Sequence, residues 1–115
     1  SKFDTLVQYH SGNLDYDSNI SNNIIESNYD EISDGGKSNL LMFNGGILNN
    51  HIVTFEDNTI KSEKANYKSN LIYILNLADT TPQTIKIINN SMSGYKLVWK
   101  AENQEIHKII LENNT

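Results

Sequence analysis

The chain has 115 residues, of which 37% are hydrophobic and 20% charged, so it can close one hydrophobic core but not two, and it stands inside the globular range. Cysteine is absent, which excludes disulfides, thiolate metal sites and a cysteine nucleophile. The formal charge is −5 and all nine basic residues are lysine, which argues against nucleic acid and, with no Gly-rich phosphate loop, against a nucleotide site.

Thr5 to His10 alternates as a first strand, and the polar run Ser11 to Ser18 ends it. Ile20, Ile24, Ile25, Tyr29 and Ile32 recur at helical spacing. With Asp17 or Ser18 as cap and Gly35-Gly36 as stop, this predicts a helix over residues 19–33. From residue 39 to residue 112 the signals are β. Leu40 to Phe43 and Ile47 to Phe55 flank Asn44-Gly45-Gly46, the strongest local cue for a hairpin, because Asn and Gly both accept positive φ. Glu56-Asp57-Asn58 reads as a turn into a polar strand at Thr59 to Ser62.

Leu71 to Ala78 is apolar on both faces and belongs in the middle of a sheet. Pro82 presets a turn before the strand Thr84 to Ile88. Tyr95, Leu97, Trp99 and Ala101 then alternate with Lys96, Val98 and Lys100, and Glu105 to Leu111 is the last strand. Short turns between closely spaced strands predict a single mainly β domain over residues 1–115. Its expected form is an antiparallel β-sandwich or small open barrel, built as a meander with one short helix near the N-terminus. No internal repeat is read from the sequence.

Asp15, Asp17, Asn19 and Glu26 fall at positions one, three, five and twelve of a calcium-loop register, with Ser21 and Asn23 between. The register has Ile20 where the loop needs glycine and no helix before it. A helix cap with a polar loop is the preferred reading, and no metal is assigned. His10, His51 and His107 lie far apart on predicted strands and are read as ordinary strand residues rather than a zinc site. Asp30, Glu31, Asp34, Glu56 and Asp57 are read as solvated carboxylates, and the nucleophile-elbow pattern is missing. Trp99 and the tyrosines are assigned mainly to the core. No catalytic or cofactor-binding residue is assigned, no cofactor is implied, and the chain is expected not to be an enzyme.

Ser1-Lys2-Phe3 starts without methionine, as in a processed exported protein or, equally, at a domain boundary or tag scar. By layout, the chain resembles a small bacterial exported lipoprotein domain. His51 to Glu112 is similar to the meander of lipocalin-like lipoproteins, which implies a small-molecule-binding barrel lined by residues such as Tyr73, Leu75, Leu97 and Trp99. In size and in its helix after the first strand, the whole chain resembles the outer-membrane lipoprotein of type VI secretion systems, a transthyretin-like β-sandwich that docks on an inner-membrane partner. That resemblance implies a non-catalytic accessory domain in the periplasm or at the outer membrane, working by contact with another envelope protein. It touches the membrane only through a lipid anchor outside this chain.

Overall fold

The computed structural model describes residues 5–10, 14–27, 39–46, 48–62, 69–77, 82–92, 95–101, 104 and 106–115. Among the described residues, eleven strands run in the order β1 (Thr5–His10), β2 (Ser18–Ser21), β3 (Ile24–Ser27), β4 (Asn39–Gly46), β5 (Val53–Glu56), β6 (Thr59–Ser62), β7 (Ser69–Leu77), β8 (Thr84–Ile88), β9 (Ser91–Met92), β10 (Tyr95–Lys100) and β11 (Lys108–Glu112). They form three sheets, in spatial order β1-β4-β7-β10, β11-β8-β5-β2 and β3-β6-β9. Every pairing is parallel.

A strand therefore pairs with the third strand along the chain, never with its sequence neighbour. Each run of three strands is one coil of a parallel β-solenoid, and successive coils stack. This corrects the expected antiparallel sandwich or barrel. The short connections are real, but they turn the chain from one sheet into the next instead of folding it back on itself, and so a coil does repeat.

The corners show why these residues make this turn. Asn22, Asp57, Asn89 and Asn113 have φ of 58°, 55°, 56° and 54°, a left-handed conformation that Asn and Asp accept more readily than other residues with a Cβ. Each is followed by an asparagine, Asn23, Asn58, Asn90 and Asn114. The expected helix over residues 19–33 falls on the first corner. Ile20 and Ile25 are half-buried against the core while Ile24 is 71% exposed, because the left-handed residue between β2 and β3 resets the alternation. A strand, a corner and a strand thereby imitate helical spacing; residues 28–33 lie outside the described residues.

The expected hairpin at Asn44-Gly45-Gly46 is also corrected. β4 continues through Gly46, and His10 pairs with both Asn44 and Gly45, so the positive φ of Gly45, 87°, serves a β-bulge within a parallel ladder. The last strand begins at Lys108, later than the expected Glu105.

The core sits between the sheets as columns of stacked side chains. Val53 pairs with Ile85 and Phe55 with Ile87 in the second sheet. Leu41 pairs with Ile72 and Phe43 with Ile74 in the first. All eight are fully buried. β7 lies inside its sheet, as its apolar run predicts, and Leu71, Ile72, Ile74 and Leu77 are buried, but Leu75 is 39% exposed and Tyr73 half-buried.

Candidate functional site

The polar groups of the interior gather at two places along the stack. At the corner between the second and third sheets, Asn23, Asn58, Asn90 and Asn114 form a ladder. Asn58 Oδ1 accepts the backbone N–H of Asn23 at 3.0 Å, Asn90 Oδ1 that of Asn58 at 2.9 Å, and Asn114 Oδ1 that of Asn90 at 3.0 Å. In the other direction, Nδ2 of Asn58, Asn90 and Asn114 donates to the carbonyls of Ile20, Phe55 and Ile87 in the preceding coil, at 2.9, 3.0 and 2.8 Å. The amides also bond to one another, Asn23 to Asn58, Asn58 to Asn90 and Asn90 to Asn114. A corner leaves backbone donors and acceptors that no sheet satisfies. An asparagine, carrying both functions on one short side chain, supplies the missing partners.

The second polar set lies where the chain enters the second sheet. Gln83, buried just ahead of β8, accepts the N–H of Asn50 at 2.9 Å through its Oε1. Its own backbone N–H donates to His107 Nδ1 at 3.1 Å. Because that partner can only donate, Nδ1 is the acceptor, and Nε2–H donates to Gln104 Oε1 at 3.1 Å. Gln104 Oε1 also accepts the N–H of Leu77 at 2.8 Å. The ring of His107 is thus a neutral structural bridge between the first and second sheets.

In the first coil, Asp17 holds the same part of the stack. Its Oδ1 accepts the N–H of Ile52 at 2.9 Å and lies 3.3 Å from His51 Nδ1. The backbone bond, more than the imidazole, holds this carboxyl below its ordinary range, and the charge of Lys86 adds to the effect. A depressed folded-state value stabilises the fold above the ordinary carboxylate range. That contribution is lost as the pH falls from about 4 through the folded value. An NMR titration is expected to place the Asp17 midpoint below that of an unfolded peptide, and His51→Ala to restore it only in part. Full restoration by that substitution would assign the effect to the imidazole.

The residues of the calcium register are spread over this scaffold. Asp17 is engaged as described, Asn19 donates to Glu56 Oε1 at 3.2 Å, and Glu26 lies on β3 beyond the corner. Asp15 precedes β2 on an exposed connection. Of the histidines, His51 and His107 each lead into the second sheet in separate coils, while His10 ends β1 in the first sheet. Among the described residues, no three His, Asp or Glu come together as a metal-holding group. Asp30, Glu31 and Asp34 lie outside the described residues; Asp57 is an exposed corner residue.

Among the aromatic residues, Tyr9 stacks on Phe43 with ring centroids 4.9 Å apart and shares a 2.7 Å hydrogen bond with Ser18 Oγ. Burial raises its pKa. Tyr16 is 81% exposed, and Tyr29 and Tyr67 lie outside the described residues. Gln8, Met42, Tyr73 and Trp99 occupy one register row across the first sheet. Met42 and Tyr73 alternate with the buried Leu41, Phe43, Ile72 and Ile74, which places them on the outer face, near the exposed Leu75.

Sequence reasoning missed the ladder, although a signal for it was present. An apolar residue, any residue, Asn or Asp, then Asn occurs at Ile20 to Asn23, Phe55 to Asn58, Ile87 to Asn90 and Leu111 to Asn114, and once outside the ladder, at Ile47 to Asn50. The four asparagines are 35, 32 and 24 residues apart, and a repeat of changing length escapes a search for one fixed period. No helix among the described residues is long and apolar enough to cross a membrane. No protein-family model matches this chain, and neither the curated proteins nor the solved structures contain a significant match to it.

Proposed function

We propose that this chain is a non-catalytic contact module of an extracytoplasmic bacterial protein, in which a rigid solenoid presents the outer face of its first sheet to another protein of the cell envelope. The observation that carries the reading is how the interior polar groups are used. Asn58, Asn90, Gln83, Gln104 and His107, the buried polar residues of the described core, are committed to backbone groups or to one another. A catalytic site keeps some of its polar groups aimed at a substrate, whereas this arrangement spends them on holding the coils in register. The outer face supplies the contact chemistry instead, with Leu75 39% exposed beside Tyr73 and Met42. A cysteine-free scaffold tied by amide ladders is also indifferent to an oxidising compartment.

The test is a photo-cross-linking amino acid placed at Leu75, with Lys86 on the outer face of the second sheet as control, in cells of the source organism. A discrete adduct in the envelope fraction from position 75, and none from position 86, is the expected outcome. No adduct at 75, or the same adducts from both positions, overturns the reading.

A further inference from the structure

The corner where the chain enters the second sheet is held differently from the asparagine corner. Among the described residues, each junction between successive coils there carries a side-chain acceptor of a different kind. Between the first and second coils, the Asp17 carboxylate accepts the N–H of Ile52 at 2.9 Å. Between the second and third, the Gln83 amide oxygen accepts the N–H of Asn50 at 2.9 Å. Between the third and fourth, the His107 imidazole accepts the N–H of Gln83 at 3.1 Å through Nδ1. All three groups accept at neutral pH, but the imidazole and the carboxylate take up protons at different acidities and the amide takes up none. The asparagine corner has no such spread, because Asn58, Asn90 and Asn114 all accept through amides.

The imidazole is the sensitive member. His107 is 3% exposed, and its Nε2–H is given to Gln104 Oε1 at 3.1 Å, so a second proton could go only to Nδ1. There it would set one N–H against another, since the backbone N–H of Gln83 has nothing to accept with. The closed junction therefore excludes the proton, while an imidazole released into water takes one below about pH 6.5. A proton bound by the open form alone raises the share of that form about tenfold for each pH unit below this value.

Lysines dominate the charge on the described elements around the ring. Lys86 lies on β8, Lys108 and Glu112 on β11, and Tyr95, Lys96 and Lys100 on β10, while β7 carries only Tyr73. Lys108 adjoins His107 in sequence, and Glu112 stands at the far end of β11. His51 and Asp17 lie in the earlier coils, beside each other. Asp79, Glu102 and Glu105 lie outside the described residues.

We propose that this corner is a graded acid release, in which the third and fourth coils part first, at the acidity where a free imidazole becomes charged, the first and second part later, where a carboxylate is neutralised, and the second and third stay joined. The junctions lie within the stack, and their release is independent of the lateral contact proposed above.

Amide hydrogen exchange followed by NMR, corrected for the intrinsic pH dependence of exchange, reads the N–H groups that the three acceptors hold. Below about pH 6.5 the protection of the Gln83 amide is expected to fall about tenfold per pH unit, while the amides of Ile52, Asn50 and Asn58 hold theirs. Below about pH 4 the Ile52 amide follows, and those of Asn50 and Asn58 still hold. His107→Gln keeps a side-chain acceptor that does not titrate and is expected to abolish the fall at Gln83; His51→Ala, at the exposed histidine, leaves that fall unchanged. A Gln83 amide whose protection is constant or rises on acidification overturns the proposal. So does a fall at Ile52 ahead of Gln83, a fall shared equally by Asn58, a fall that survives His107→Gln, or one that His51→Ala removes. If His107→Gln does not fold, the order of loss among the four amides of the unsubstituted chain decides alone.

Discussion

Replacing Asn90 with alanine is expected to destabilise the fold by about 3 kcal/mol, more than its surface-like composition would suggest, because two buried backbone groups lose their partners at once. Asn90 is 1% exposed. Its Oδ1 is the acceptor for the N–H of Asn58, and its Nδ2 is the donor to the carbonyl of Phe55. Each orphaned group costs roughly 1–3 kcal/mol when water cannot reach it. Asn90→Asp separates the two functions: it keeps an acceptor for Asn58 but sets a second oxygen against the Phe55 carbonyl. Asn114→Ala, at the half-exposed end of the ladder, should cost about 1 kcal/mol, since water takes over part of the bonding there. Urea unfolding checks all three. Equal losses at positions 90 and 114 would show that the ladder's worth does not depend on burial.

The second large effect is expected at Phe55. Its side chain is fully buried between Ile87 of the next coil and Ile20 of the preceding one. Truncation to alanine removes the lost transfer free energy and leaves a cavity, together about 3–5 kcal/mol. Against a total of roughly 5–15 kcal/mol for an ordinary domain, that is a large share. Because solenoid coils hold each other through nearest-neighbour interfaces, the damage should appear as uncoupling. Hydrogen exchange is expected to quicken in β2 and β5 before it does in β8 and β11. Phe55→Leu should recover most of the stability, with a residual loss below about 1.5 kcal/mol. Uniform acceleration through all the strands would instead mark the stack as one cooperative unit.

Much of the strand content was legible from alternation alone. Thr5 to His10, Thr59 to Ser62, Thr84 to Ile88 and the strand from Tyr95 are where period-two patterning puts them. Pairing was not legible, because alternation states which side chains face inward but not which strand lies alongside. In this chain the partner of Phe55 is Ile87, one coil away, while the short turns that suggest a meander are the corners. Of the positive-φ residues, Asp57 was read as part of a turn and is one, whereas Gly45 was expected in a hairpin and Asn22 within a helix. Gly45 bulges a ladder, and Asn22 breaks the stretch that looked helical.

For the polar residues, abundance hid significance. In an asparagine-rich chain the four ladder residues look like background; a left-handed residue precedes each of them but also precedes Asn50, and only the place at the end of a second-sheet strand separates them from the rest. Asp17 was singled out for the wrong chemistry, since its carboxylate caps the backbone of the next coil at Ile52. Gln83, Gln104 and His107 gave no local sign of burial, because their partners come from neighbouring turns of the chain.

The corners joining β5 to β6 and β8 to β9 are two residues each, and the ladder leaves them no freedom to lengthen. The circuit nevertheless shrinks from 35 to 32 to 24 residues as the stack rises. Most of that variation is carried by the stretches on the far side, between the third sheet and the next entry to the second, which run over residues 28–52, 63–83 and 93–107. Insertions and deletions introduced there can change the girth of the molecule while every rung of its amide staircase stays intact.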